Sequence, residues 1–159
     1  MSGIGQVTRQ VALPSARIFI PAVYALSVLS TSAALIVGWF IDTDHRDVTE
    51  MILVPALGTT ALLLVLGVGS ALRRTGNTKV GAITFGVLAW LSIIFFWAGV
   101  PGLFGAGATW QAGLLSGDPP QRGSARIAGV AGLFAAILNC AVSTIGSLLV
   151  VATSNFGHV

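Results

Sequence analysis

Four long stretches without a charged side chain divide this sequence. A helix needs roughly 20 apolar residues to cross the ~30 Å hydrocarbon core of a bilayer. Each stretch is long enough to do so, and none shows the ten-residue alternation typical of strands in a membrane barrel. The stretches are the 24 residues between Arg17 and Asp42, the 22 between Glu50 and Arg73, the 38 between Lys79 and Asp118, and the 33 that follow Arg126.

These stretches predict an all-α integral membrane protein that forms a four-transmembrane-helix bundle. We expect residues 1–159 to make one membrane domain, with spans at about 18–41, 50–72, 80–100 and 127–153. The composition agrees, because only 8% of the residues are charged, about a third of the ~25% found in soluble domains. So few charges argue against a soluble enzyme or a nucleic-acid-binding domain, although the net charge is +3.

The distribution of charge predicts the orientation of the bundle. An even number of spans places both termini on one face, and that face carries five basic residues without an acid, whereas the opposite face carries three basic residues and all the acids. The positive-inside rule then puts both termini inside, in the cytoplasm or the mitochondrial matrix. The membrane would be a bacterial plasma membrane or a mitochondrial inner membrane. The first set is Arg9, Arg17, Arg73, Arg74 and Lys79; the second is Arg46, Arg122 and Arg126, with Asp42, Asp44, Asp47, Glu50 and Asp118.

The segment 101–126 is the longest connection in this scheme. Pro101 and Gly102 interrupt the third apolar run, and further glycines weaken any helix that continues beyond them. Because the segment stays apolar, we expect an interfacial helix or loop on the outer face. Before it, Gly76 is the expected left-handed cap at the end of the second helix.

The predicted spans contain no Asp, Glu, Lys, Arg or His, except for Glu50 at a helix end. Proton relays, ion-coupled carriers and voltage sensors normally need such a group inside the membrane, and a nucleophile needs a base beside it. The acidic loop from Asp42 to Glu50 has the wrong spacing for a calcium loop, and Cys140 is the single cysteine. We therefore expect no enzymatic activity, no catalytic residue, no metal and no cofactor.

Small residues at four-residue spacing are the positive signal. Such ridges let membrane helices approach closely, either inside a bundle or against a partner. One ridge lies on the last helix and a shorter one on the first, while the amide of Asn139 is a strongly polar group deep in the last helix that should face another helix. The predicted packing or docking residues are Ala128, Gly132, Ala136, Cys140 and Thr144 in the last helix, and Ser30, Ala34 and Gly38 in the first.

Two functional hypotheses follow from these features. The first is a non-catalytic accessory, scaffold or assembly subunit of a larger membrane complex, respiratory or transport, whose partners are the lipid bilayer and other integral membrane subunits rather than nucleic acid. The second is a small transporter or channel for an uncharged solute or lipid. A pore requires a continuous polar face through the bundle, whereas an accessory subunit requires outward helix faces that a partner covers.

Overall fold

The structure, a computed structural model, describes residues 13–41, 48–115 and 117–156. The described residues form helices and turns without strands, which confirms the all-helical prediction, and four helices are long and apolar enough to cross a membrane. The elements in chain order are α1 (Ala16–Tyr24), a π-helical segment (Ala25–Leu29), α2 (Ser30–Ile41), α3 (Val48–Arg74), α4 (Thr78–Leu91), a 3-10 segment (Ser92–Ala98), α5 (Val100–Gln111) and α6 (Ser124–Phe156).

The first apolar run is a helix with a wider π turn at its centre. Pro21 lies inside α1 and has no N–H to donate to the preceding turn, which loosens the hydrogen-bond ladder. The π-helical segment begins four residues later. Hydroxyls there bond back to the main chain: Ser27 donates to the carbonyl of Val23 (2.5 Å), and Thr31 donates to that of Ser27 (2.8 Å). The chain therefore stays helical from α1 to α2, and the wider π turn changes which side chains face the rest of the bundle at mid-length.

The third apolar run forms a hairpin that turns back inside the bundle. α4 gives way to the 3-10 segment, whose backbone leaves helical geometry at Phe95. Gly99 then adopts a left-handed conformation (φ 73°), which glycine reaches without the penalty of a Cβ. The chain reverses there into α5, which has 12 residues and a length of about 18 Å, too short to cross the hydrocarbon core.

We call the two chain ends of this hairpin, the start of α4 and the segment that follows α5, its open end. Contacts there show that both chain ends lie at the same end of the bundle. The Arg73 side chain at the end of α3 pairs with Asp118, and the Gln121 amide donates to the hydroxyl of Thr78 at the start of α4 (3.1 Å). The prediction that Arg73–Lys79 and Asp118–Arg126 face opposite sides is therefore wrong. The reason is the reversal at Gly99, which folds the third run back on itself so that both ends of the hairpin lie at the same end of the bundle.

α6 consequently runs in the same direction as α1. Its Cys140 sulfur approaches the carbonyl of Val23 (4.0 Å), and one turn later the Thr144 hydroxyl donates to the carbonyl of Leu26 (3.3 Å). The start of α1 and the end of α6 therefore lie at opposite ends of the bundle. The two termini themselves, 1–12 and 157–159, lie outside the described residues.

α5 occupies the centre of the bundle and contacts α1, α3, α4 and α6. Every residue of α5 except Trp110 is buried, so the predicted location of this segment on the outer interface is wrong. The glycines that seemed to weaken a helix instead allow it to approach its neighbours. A Cβ on Gly105 would lie 2.3 Å from the Gly132 carbonyl oxygen of α6, and a Cβ on Gly107 would lie 3.1 Å from the Val65 side chain of α3.

Candidate functional site

The tip of the buried hairpin lies against the π turn of the first helix. A Cβ on Gly99 would lie 2.7 Å from both the Ser27 hydroxyl and the Val28 side chain. Gly58 of α3 closes the same notch, since a Cβ there would lie 2.5 Å from Val28 and 3.0 Å from the Ala98 carbonyl oxygen. Irregular backbone at membrane depth is tolerated only where protein or a cavity surrounds it. Here the π turn of the first helix and Gly58 of α3 surround the irregular backbone at Gly99 with protein.

Asn139, near the middle of α6, holds the hairpin tip. Its Nδ2 donates to the carbonyl of Phe96 (2.8 Å), which also accepts the backbone N–H of Gly99 (3.1 Å). Asn139 thus contacts the 3-10 segment that precedes the reversal. Its Oδ1 is buried without a hydrogen-bond partner among the described residues and lies 2.6 Å from the position of a Cβ on Gly102. Any side chain at that position would collide with the amide.

A second buried polar group follows one turn along α6. Ser143 is 7% exposed, and its Oγ has no hydrogen-bond partner among the described residues. Asn139 and Ser143 occur four residues apart and therefore lie on the same face of α6. An unsatisfied buried polar group costs about 1–3 kcal/mol, so this centre has unused capacity to bind a water molecule or a hydrogen-bonding ligand.

An apolar cleft adjoins this polar centre on the outside of the bundle. The cavity has a volume of about 130 Å³, room for a few water-sized groups but not for a whole lipid. Asn139 is the one residue of the lining with a polar side-chain amide, and the other lining residues are apolar or aromatic. Several lining side chains are about half-exposed, so the cleft opens towards the lipid-facing surface. It is lined by Trp90, Ile93, Phe96, Ala135, Leu138, Asn139 and Val142.

The first three residues of the ridge predicted on α6 lie against the hairpin. Ala128 meets Gly86 of α4, where an added Cβ would approach the Ala128 Cβ to 3.1 Å. A Cβ on Gly132 would lie 2.7 Å from the Gly105 carbonyl oxygen and from the Ala108 side chain of α5. Ala136 is fully buried. These contacts lie within the chain itself; a role of the ridge in docking a partner stays a prediction.

The last two residues of that ridge, Cys140 and Thr144, change partner from the hairpin to the first helix, through the contacts with Val23 and Leu26 described above. Both side chains are partly exposed. The ridge therefore follows one line along α6 but touches three different elements. Cys140 packs between helices and is a free thiol.

The shorter ridge on α2 is less uniform. The Ser30 hydroxyl bonds to the Leu26 carbonyl of its own helix, and Ala34 is buried. Gly38 has open space around it, since a Cβ there would meet nothing within 4 Å. Close packing at this ridge is thus restricted to its first half.

A cluster at the open end of the hairpin was missed from the sequence. The Arg73 guanidinium donates to the Trp110 carbonyl (3.1 Å), pairs with Asp118, and lies 5.0 Å from the centre of the Trp110 ring. Nearby, the buried Gln111 donates from Nε2 to the Gly69 carbonyl (2.7 Å). Arg73 is 37 residues from Trp110, and no local pattern links them.

All six basic residues in the described part of the chain lie at this end of the bundle, because the reversal brings Arg122 and Arg126 beside the loop that follows α3. The described part also contains no group of three or more potential metal-ligating side chains. The acidic segment 42–47 lies outside the described residues. The six basic residues are Arg17, Arg73, Arg74, Lys79, Arg122 and Arg126.

Comparisons of the chain with protein-family models, with curated proteins and with solved structures give no match.

Proposed function

We propose that this chain is a non-catalytic accessory, scaffold or assembly subunit of a larger membrane complex. The observation that carries the proposal is the use of its interior polar groups. Thr109 donates to the carbonyls of Gly105 (2.8 Å) and Gly129 (3.2 Å), while Gln111 and Ser27 also bond to main-chain carbonyls. Such bonds hold helices together and commit the hydroxyl protons of Thr109 and Ser27, and the Nε2 group of Gln111, to main-chain carbonyls.

The packing around α5 supports the same proposal. Leu103 of α5 and Val65 of α3 are fully buried apolar side chains. Val65 meets α5 at Gly107, between Gly102, which faces Asn139, and Gln111. A polar face continuous through the described bundle, as a pore requires, would be interrupted there. The role is then structural: a rigid core that presents apolar outer faces to lipid and to other integral subunits.

The orientation of the bundle belongs to this proposal. The six described basic residues lie at the open end of the hairpin, and Asp118, the acid at that end, is paired with Arg73. The positive-inside rule therefore places this end in the cytoplasm or the mitochondrial matrix, in a bacterial plasma membrane or a mitochondrial inner membrane. α1 then begins inside and α6 ends outside.

The test is extraction of the tagged chain in a mild detergent such as digitonin, followed by native electrophoresis and identification of stoichiometric companions. A scaffold subunit should migrate in a defined larger species. Its outer face can be altered without disturbing the core, for example by Phe134→Ala, since Phe134 is 61% exposed. Phe134→Ala, or the substitution of an exposed apolar side chain on another outer helix face, should release the co-migrating subunit while this chain stays folded. Migration of the chain alone under all mild conditions would contradict the proposal.

The polar centre favours a second candidate, a small carrier for an uncharged solute or lipid. Broken helices with polar groups near the midplane form the substrate sites of many transporters. Asn139, whose Oδ1 has no partner among the described residues, lies at such a break and lines the apolar cleft, and the partnerless Oγ of Ser143 follows one turn along α6. The purified chain reconstituted into vesicles should then move glycerol or a fluorescent lipid, and Asn139→Leu should abolish that movement. An accessory subunit alone would move neither.

A further inference from the structure

The reversal at Gly99 brings together basic residues that are far apart in the sequence. Lys79 follows Thr78, and Arg122 follows Gln121, the two residues joined by the 3.1 Å side-chain hydrogen bond. Arg126 lies in the first turn of α6. All three basic side chains are exposed. We call Lys79, Arg122 and Arg126 the basic patch.

The basic patch has no compensating charge in the described residues. Asp118 is the nearest acid in the sequence, and it pairs with Arg73. The first turns of α4 and α6 contain no acid, although helix N-termini favour negative charge and disfavour cations. Lys79 and Arg126 therefore occupy positions that are unfavourable on their own and become favourable when an anion binds beside them.

The surroundings of the basic patch identify the anion. Val80, next to Lys79, is 56% exposed, and Ile127, next to Arg126, is 72% exposed. Each of these cations thus has an outward apolar neighbour at the boundary between the polar end and the apolar surface of the bundle. A phospholipid has the same order of groups, with a phosphate at the interface and acyl chains below it.

We propose that the basic patch binds the headgroup of an anionic phospholipid from the leaflet at the open end of the hairpin. Clusters of Lys and Arg beside membrane helices attract anionic lipid in this way. The headgroup neutralises cations of α4 and α6 together, so the bound lipid also links the two arms of the fold where the hairpin returns. The proposal is independent of whether the chain is a scaffold or a carrier.

Native mass spectrometry of the purified full-length protein in detergent tests the proposal, with phosphatidylglycerol and phosphatidylcholine as the added lipids. The wild-type chain should retain phosphatidylglycerol in preference to phosphatidylcholine. Lys79→Gln, Arg122→Gln and Arg126→Gln should each lower the retained fraction about fivefold, and Arg122→Lys should restore it. The substituted side chains are exposed, so the fold is preserved, which a melting curve verifies.

Arg17→Gln is the matched control. It removes the same charge at the same end of the bundle, but α1 packs mainly on α5, touches α6 only slightly, and has no substantial contact with α4. Retention should stay at the wild-type level in this variant. An equal loss in Arg17→Gln would mean attraction to net charge alone and would overturn the proposal. Equal retention of both lipids by the wild type, or unchanged retention in the three patch variants, would overturn it as well.

Discussion

The contact between α5 and α6 gives the sharpest test of the fold, through the substitution Gly132→Ala. A Cβ at this position would lie 2.7 Å from the Gly105 carbonyl oxygen and from the Ala108 Cβ. Ordinary contacts begin at 3.4 Å, so the two helices must separate by about 0.7 Å along the seam. Because α5 is enclosed on all sides, that separation also disturbs its contacts with the other helices.

Gly146→Ala supplies the control, because it makes the same change in the same helix at a position where a Cβ meets nothing within 4 Å. Each variant gains the same helix propensity, up to about 1 kcal/mol for Gly to Ala. Their difference therefore isolates the overpacking at Gly132, which typically costs about 1–3 kcal/mol. We expect Gly146→Ala to be as stable as the wild type or slightly more so, and Gly132→Ala to be less stable than Gly146→Ala by that amount.

Reversible unfolding in mixed micelles, with an increasing fraction of sodium dodecyl sulfate and tryptophan fluorescence as the signal, measures this difference. The Gly132→Ala midpoint should fall at a lower sodium dodecyl sulfate fraction than the Gly146→Ala midpoint. Coincident midpoints would show that α5 does not approach α6 at Gly132, and the buried hairpin would then be the wrong arrangement of the third apolar run.

Three further predictions follow from the same contacts. In a Cys140→Ser background, Asn77→Cys and Ser124→Cys should react with a membrane-impermeant maleimide from the same side of intact membranes; labelling from opposite sides would restore four full crossings. Arg73→Gln should destabilise the purified protein by about 1 kcal/mol, since it removes hydrogen bonds of a charged group that is partly exposed. Arg74 is exposed and has no ion pair among the described residues, so Arg74→Gln should leave the melting temperature unchanged. Equal effects of the two substitutions would contradict the conclusion that Arg73 holds the end of the hairpin in place. Asn139→Leu should lower the yield or melting temperature of the protein, because the hydrogen bond from α6 to the Phe96 carbonyl is lost. A variant as stable as the wild type would show that this hydrogen bond does not hold the tip.

The helical character and the membrane-spanning lengths of this chain are determined by its sequence. Uncharged runs of 22 to 38 residues can satisfy their backbone hydrogen bonds in lipid only by forming helices or a closed barrel, and their continuous apolar character favours helices. The partner of Asn139 was predictable in kind for the same reason, since an amide inside such a helix needs a hydrogen bond from another element. Gly76 also has the expected left-handed conformation (φ 74°).

The path of the third run was decided by tertiary structure. Its 38 residues are compatible with one crossing and an interfacial segment, or with two arms of a hairpin, because apolar length is the same in both. Glycine adds to the ambiguity: Gly105 weakens an isolated helix, yet the same lack of a side chain permits the contact with Gly132 that buries α5. The close packing outweighs the lower helix propensity only where a neighbouring helix lies against the glycine. That single choice also determines on which side Arg122 and Arg126 lie, since one reversal of direction moves every later charge to the opposite end of the bundle.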